Sequence, residues 1–239
     1  MLLSIVIPAY NEEKYLGKTL QTLVNQKHEC FDVEIIVVNS ESTDTTAQIA
    51  TRYGVTVLTV PRHTPASARQ AGIEKAKGEI VACCDADTVV SDDWFTKICD
   101  HFQKDPQLVG LTGTVVALDG PLYIRLFIKY VWGLFYFINF HLGKTIFQGQ
   151  NFAFKKEASI KIGGLNIRLY SAEDADFGNR LSKVGKVQFF NDVLVYTSTR
   201  RVGKEKLFKV LTRWPFAYLK VVWGINTGNY EVEPFPAVR

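Results

Sequence analysis

The chain is poor in the features that would place it in a specialised class. It has four cysteines in 239 residues (Cys30, Cys83, Cys84 and Cys99), and none stands at metal-ligand spacing from another. That excludes a zinc–thiolate centre and fits reduced, packed thiols in a cytoplasmic setting. The opening apolar run, residues 2–8, lacks a basic flank, so it does not read as a secretory leader. Repeats and low-complexity tracts are missing, apart from a proline-bearing last dozen residues. Uncharged hydrophobic runs of about 20 residues, the length of a membrane span, are also missing. No nucleic-acid-binding motif appears, and nucleic acid is not an expected partner. What remains is a chain with 47% hydrophobic and 22% charged residues, enough for one large domain with a buried core.

Charge is unevenly spread. Residues 1–118 hold 10 Lys/Arg against 15 Asp/Glu, and residues 119–239 hold 18 against 9. The net charge of +4 therefore joins an acidic first half to a basic second half. A basic half of this kind faces something anionic, either phosphates or a membrane surface.

The first half alternates strand and helix. Residues 3–7 form a β-branched apolar run stopped by Pro8. Tyr10 follows at the strand's exit, a natural stacking surface for a base. Asn11 is placed to cap a helix that buries Leu16, Leu20 and Leu23. Residues 33–38 and 55–60 read as two more strands, with a helix between them over 45–53. Strand–helix–strand units with short turns point to a parallel sheet. A helix opening at Ala66 carries Arg69 in its first turn, where it can bind phosphate, pair with an aspartate or stay solvated. The strand over 80–84 then ends in Asp85-Ala86-Asp87. Two carboxylates at the carboxyl edge of a sheet repel unless a cation or proton is shared. Hard oxygen ligands suit Mg²⁺ or Mn²⁺; capping of the following helix is the plainer alternative.

The second half is less regular. A strand over 108–116 leads to an aromatic segment, 121–142, with Arg125 and Lys129 in its first half. Its charge and aromatics suit a helix lying in a membrane interface, and packing on the protein's own sheet is the alternative. Gln148-Gly149-Gln150-Asn151 reads as the polar mouth of another strand, and Gly163-Gly164 as a turn. Ser171-Ala172-Glu173-Asp174-Ala175-Asp176 opens a helix for which Ser171 is a cap with Asp174 as its capping-box partner. Capping uses one acidic residue, not three. Two short strands over 187–190 and 193–197 precede Arg200-Arg201, a pair able to close over a diphosphate. Residues 204–224 are basic and amphipathic, with a kink expected at Pro215.

Four of these stretches, in order and in register, resemble the family 2 glycosyltransferases of the GT-A fold. They are Ser4-Ile5-Val6-Ile7-Pro8-Ala9-Tyr10-Asn11-Glu12, Val37-Val38-Asn39-Ser40-Glu41-Ser42-Thr43-Asp44, Ala68-Arg69-Gln70-Ala71-Gly72 and Asp85-Ala86-Asp87. The resemblance covers roughly residues 3–200. It implies a mixed, largely parallel α/β sheet flanked by helices, over 1–200 and including the aromatic helix; the residue pattern adds a basic amphipathic C-terminal helix and tail over 201–239. It implies donor contacts from Pro8, Tyr10, Glu12, Asn39, Ser42, Arg69 and Asp85, and Asp87 as the principal ligand of a Mg²⁺ or Mn²⁺ ion with Asp85 beside it. Arg200 and Arg201 join the nucleotide-sugar side on chemical grounds. The Glu-Asp pair after the Gly-Gly turn makes Asp174 the base, with Glu173, Gln150 and Asn151 toward the acceptor and Asp176 structural.

The family commonly shows Asp-Asp-Gly where this chain has Asn39-Ser40-Glu41, which leaves the base of the donor open between UDP- and GDP-linked sugars. The implied activity is inverting, metal-dependent sugar transfer; the aromatic and basic segments alone point to a lipid-linked or membrane-borne glycan, or a polyprenyl phosphate, as acceptor. The aromatic and basic segments (121–142 and 204–224) would make peripheral contact with the inner face of the cell membrane. The rival readings are a sugar-1-phosphate nucleotidyltransferase and a non-catalytic, membrane-recruited nucleotide-binding module.

Overall fold

The structure is a computed structural model and describes residues 1–27, 31–169, 171–200, 218, 220, 221 and 223. Arg201 and most of the C-terminal segment, Pro215 included, lie outside the described residues; residues 218, 220, 221 and 223 are helical.

Eight strands form one sheet in the order β3-β2-β1-β4-β7-β6-β8-β5. Strands β1 (Leu2–Ala9), β2 (Asp32–Asn39), β3 (Thr56–Thr59) and β4 (Ile80–Cys83) are mutually parallel. Helices α1 (Leu16–Val24), α2 (Thr46–Arg52) and α3 (Pro65–Lys75) connect them. After β5 (Thr88–Val90) and α4 (Trp94–Lys104), strand β6 (Leu108–Ala117) leads into the aromatic segment. There α5 (Leu122–Leu126), a π-helical turn (Phe127–Trp132) and α6 (Gly133–His141) follow one another without a break. Strand β7 (Phe152–Lys155) then inserts antiparallel between β4 and β6. Helices α7 (Lys156–Lys161) and α8 (Glu173–Leu181) precede β8 (Lys186–Thr197), which pairs parallel to β6. The two short strands expected over 187–197 are this single strand, with a register shift against Gly113/Thr114.

The strands have cores on both faces, as their unbroken apolar runs require. Leu3, Ile5, Ile7, Val37, Ile80, Ala82 and Cys84 point to one core. Val6, Ile36, Val38, Val81 and Cys83 point to the other, with the rings of Phe147, Phe152, Phe154 and Phe177. Adjacent Cys83 and Cys84 thus divide between the faces, and burial pushes both thiols up in pKa, Cys83 to about 12.

Three local expectations are corrected. Pro8 does not stop β1, which runs on through Ala9. Val6 O accepts from Cys84 N on the β4 side, so Pro8, two residues on, turns its missing N–H toward the same side beyond the end of β4. Asn11 does not cap α1, which starts five residues later at Leu16. It adopts a left-handed conformation (φ 54°), and its side chain accepts from Thr43 N at 2.9 Å. Ser171 does not cap α8 either: Ala172 holds the cap position, also left-handed (φ 58°), and no side-chain cap bond forms. Asp174 spends its carboxylate elsewhere.

Candidate active site

The carboxyl ends of β1, β2 and β4 lie at one edge of the sheet, and most of the expected site residues meet there. The loops after β1 and β2 are tied together. Asn39 Oδ1 accepts from Ser42 N at 3.2 Å, Ser42 Oγ accepts from Asn11 N at 3.0 Å, and Glu12 N donates to Thr46 Oγ1 at 2.7 Å. Pro8 and Tyr10 stand half-buried on this edge, and the Arg62 guanidinium lies 4.0 Å from the Tyr10 ring centre, over one face. Asp44, one residue before the cap position of α2 at Thr45, accepts from Thr46 N at 2.9 Å.

Two arginines divide the aspartates of Asp85-Ala86-Asp87. Arg69, from the first turns of α3, donates Nη2 to Asp85 Oδ1 at 2.5 Å and Nη1 to Glu173 Oε1. Thr64 fixes the start of α3 through a capping box with Ser67, which aims Arg69 inward. Of the alternatives open in sequence, pairing is what the structure shows. Burial alone would lower the pKa of Arg69, but Asp85 and Glu173 hold it above the usual arginine value. Arg200 bridges the second aspartate and the β1 loop: Nε donates to Asp87 Oδ2 at 2.8 Å, and Nη2 reaches both Glu12 oxygens at 2.5 and 2.6 Å. Its guanidinium also lies 4.2 Å from the centre of the Tyr15 ring. Asp119 anchors the turn that delivers Arg200, accepting from Ser198 Oγ at 2.8 Å and Thr199 N at 2.7 Å. Gly120 (φ 88°) lets Thr199 come that close; a Cβ there would sit 2.1 Å from Thr199 Oγ1.

Asp174 is buried beside the Arg69 cluster. Gly149 N donates to its Oδ2 at 2.7 Å and Ala175 N to its Oδ1 at 2.9 Å, while the Tyr218 hydroxyl donates to both oxygens at 3.1 and 3.2 Å. Burial, then the neighbouring Glu173 charge, raises its pKa to about 7, against the lowering pull of Arg69 and the two backbone donors. A carboxylate tuned to neutral pH is what a general base needs. Asp176 behaves as the structural member of the trio, paired with Arg180 at 2.7 Å.

Gln150 sits half-buried in the Gln148–Asn151 turn, next to Gly149, whose carbonyl accepts from Arg69. Asn151 is set apart from the site. It is fully buried, accepts from Trp94 Nε1 at 2.9 Å and donates its amide hydrogens to Thr114 O and Val193 O. The expected acceptor-side role is therefore corrected for Asn151: both amide hydrogens tie β6, β7 and β8 together.

Residues not singled out in sequence also contact the site: Tyr15, Arg62, Asp119, Tyr136 and Tyr218. Their only sequence signal is residue type. Tyr218 reaches Asp174 from 44 positions away, a distance no local motif spans.

Comparison with known proteins places this geometry. The profile of Glycosyl transferase family 2 matches residues 4–163. The hyaluronan synthase of Pasteurella multocida is 29% identical over 219 residues, covering 86% of this chain and 22% of that protein. The chondroitin synthase of Pasteurella multocida (strain Pm70) is 30% identical over 80% of this chain and 20% of its own length. The chain thus spans about a fifth of the length of these relatives. A mannosyltransferase from Pyrobaculum calidifontis, solved with GDP-Man and Mn²⁺, superposes with a TM-score of 0.72 at 20% identity, covering 95% of this chain and 65% of that one. The glucosyl-3-phosphoglycerate synthase of Mycobacterium tuberculosis, solved with Mn²⁺, UDP and phosphoglyceric acid, gives 0.68 at 18% identity over 95% and 80%. The nucleotidyltransferase and non-catalytic readings give way, and the chain belongs to glycosyl transferase family 2, with the GT-A fold.

Proposed function

We propose that the chain catalyses inverting, metal-dependent transfer of a sugar from a UDP- or GDP-linked donor, with Asp174 as the base. The observation that carries this is the Asp174 carboxylate itself: buried, raised to about 7, and held one residue from the Arg69–Glu173 pair that continues to Asp85. The acceptor hydroxyl gives its proton to Asp174 as its oxygen bonds to the anomeric carbon. The bond to the diphosphate breaks on the opposite face, which inverts the centre without a protein nucleophile. Pro8, Tyr10, Glu12, Asn39, Ser42, Arg69, Arg200 and Arg201 are proposed on the donor side, and Gln150 and Glu173 on the acceptor side.

Asp87 and Asp85 would hold the Mg²⁺ or Mn²⁺ ion. Their hard oxygens suit a cation that takes one or two carboxylates and completes its shell with water and substrate phosphates. Both aspartates already meet guanidinium groups, so this pocket is built for cationic partners. When bound, the ion stabilises the charge that develops on the leaving diphosphate. The GDP-Man, UDP and Mn²⁺ complexes of the structural neighbours support this reading of donor and cofactor.

The acceptor is proposed to be a lipid-linked or membrane-borne glycan, or a polyprenyl phosphate. Two relatives are named for polysaccharide synthesis. The aromatic segment 121–142 also exposes Leu122, Leu126, Tyr130, Leu134, Phe137 and Leu142 in one stretch. No helix among the described residues is long and apolar enough to cross a membrane. This segment, part of a catalytic unit over 1–200, is proposed to rest on the inner face of the cell membrane together with 204–224, which belongs to the basic helix and tail over 201–239. Sedimentation with anionic phosphatidylserine vesicles should retain the protein at low salt and release it at high salt; no binding at low salt removes the membrane from the proposal.

The central test is nucleotide release or sugar transfer from UDP- and GDP-sugars with Mn²⁺, in the wild type and in Asp174→Asn. The variant should lose roughly 10²-fold or more, the usual weight of a general base, while UDP or GDP still raises its melting temperature. Equal turnover in both proteins would remove Asp174 from the base role.

A further inference from the structure

The acceptor-facing side of Asp174 is closed by a side chain that sequence motifs do not mark. Each carboxylate oxygen takes one fixed backbone donor, Gly149 N or Ala175 N, and the remaining approach is held by the Tyr218 hydroxyl. A base must lie about 2.6–3.2 Å from the oxygen whose proton it takes. Tyr218 Oη stands at 3.1 and 3.2 Å from the two carboxylate oxygens, in that range. Tyr218 has one hydroxyl hydrogen, and it is committed to Asp174. The hydrogen bond between the Tyr136 and Tyr218 hydroxyls is therefore donated by Tyr136. The relay runs from α6, through residue 218, to the base.

The surroundings have the makeup of a sugar-binding wall. The Tyr218 ring packs edge-on against Trp132 (6.3 Å, 63°) and Phe135 (6.5 Å, 89°). Tyr136 adds a further ring on the same helix, 5.7 Å from both Trp132 and Phe135. All four side chains are half-buried, so the cluster borders solvent while its hydroxyl end reaches the base. Aromatic rings with polar tips suit a ligand that is apolar on one face and hydroxylated at its rim.

We infer that Tyr218 is a positioning residue of the acceptor site: its hydroxyl keeps on Asp174 the place that an incoming sugar hydroxyl takes, and its ring is held there by Trp132 and Phe135 beside Ile146, Ala172 and Ala175. This rests on the sugar-transfer reading above. It makes the aromatic segment part of the reaction site as well as a candidate membrane face. Until an acceptor displaces it, Tyr218 also keeps water off the base and limits wasteful hydrolysis of the donor.

The test uses water as the acceptor. In hydrolysis, water oxygen bonds to the anomeric carbon, its proton passes to Asp174, and the carbon–oxygen bond to the nucleoside diphosphate breaks. The purified full chain is incubated with Mn²⁺ and, in turn, UDP-glucose, UDP-N-acetylglucosamine and GDP-mannose, without any other acceptor. Tyr218→Phe keeps the ring and removes the hydroxyl. It should release nucleotide roughly tenfold faster than the wild type, the scale of one freed hydrogen bond to a charged group.

The acid limb of the variant's rate profile should move to higher pH, because ionised Asp174 loses a donor while Glu173, Arg69, Gly149 N and Ala175 N stay in place. Melting-temperature shifts with UDP or GDP should be unchanged. Tyr136→Phe, one step back in the relay, should give a smaller rise in the same direction, and it carries the test if Tyr218→Phe does not fold. Release that is unchanged, slower or undetectable in the variants, with nucleotide binding intact, overturns the inference. Failure of every nucleotide to stabilise the wild type overturns the sugar-transfer reading instead.

Discussion

Arg69 and Arg200 each neutralise one aspartate of the same three-residue motif, but in different surroundings. Arg69 leaves 5% of its side chain exposed, and its partners Asp85 and Glu173 leave 16% and 9%. It comes from the body of α3 and joins the end of β4 to the start of α8. Arg200 is 14% exposed and comes from a turn past the end of β8, held by Asp119. Part of its environment is a tyrosine face. The first arginine is built into the scaffold and links Asp85 to Glu173, the neighbour of the proposed base. The second also joins two buried carboxylates, Glu12 and Asp87, but from a turn past a strand end rather than from a helix. The same charge on the same motif therefore stands in two settings, one between β4 and α8 and one between β4 and the loop after β1.

The largest effect expected from this contrast is on stability. Arg69→Met removes a buried cation from between two carboxylates. Breaking a buried pair by deleting one partner costs about 3–5 kcal/mol, so the urea midpoint should fall sharply. A loss below about 1 kcal/mol would break the comparison by showing that Arg69 is as replaceable as a surface arginine.

Next comes the pH dependence of the base. Asp174 must be ionised to accept a proton, and its pKa is raised to about 7. Turnover per free enzyme should therefore fall as pH drops through about 7, rather than near the ordinary aspartate value of 3.8. Stability moves the other way. The folded carboxyl binds its proton more tightly than the unfolded one, so this group's contribution to stability grows as pH falls from about 7 toward 3.8. Melting temperature and rate should diverge over that window, and a rate limb near pH 4 would show that the base is better solvated than its burial implies.

The reach of the sequence differs between these two arginines as well. The parallel half of the sheet was legible from apolar runs ended by turn residues, because strands buried on both faces leave that pattern. A meeting of Arg69 with Asp85 or Asp87 was among the options open in sequence, and the roles proposed for Asp85, Asp87 and Asp174 come from the family resemblance. What sequence left undecided was which groups pair. Arg69 had three equally local options, and only the approach of α8 to α3 selects Glu173 and Asp85. Asn11 and Ser171 have the composition of caps, but each is drawn into, or stands beside, a left-handed residue that re-aims the loop. Asn151 resembled a polar mouth because its partners come from β6, β8 and α4, which no window around it contains. Strand β5 is three residues long, too short for a periodic signal.

The smallest expected effect is the most discriminating. Arg200→Ala should cost less stability than Arg69→Met, because the guanidinium is 14% rather than 5% exposed, although Glu12 and Asp87 are themselves buried. It leaves the Glu12 and Asp87 carboxylates with one cation fewer at the place where a divalent ion is proposed to bind. Two forces then oppose each other. Losing the guanidinium weakens the hold on a diphosphate, so the melting-temperature rise with UDP or GDP in Mn²⁺ should shrink. Losing an internal competitor takes one cation off Asp87, so Mn²⁺ alone should stabilise the variant more than the wild type. Arg69 offers no such trade, because it joins Asp85 to Glu173 from the body of α3 and its removal opens that contact. If Mn²⁺ alone stabilises wild type and Arg200→Ala equally, Arg200 is a second structural arginine, and the division between a helix-borne and a turn-borne cation fails.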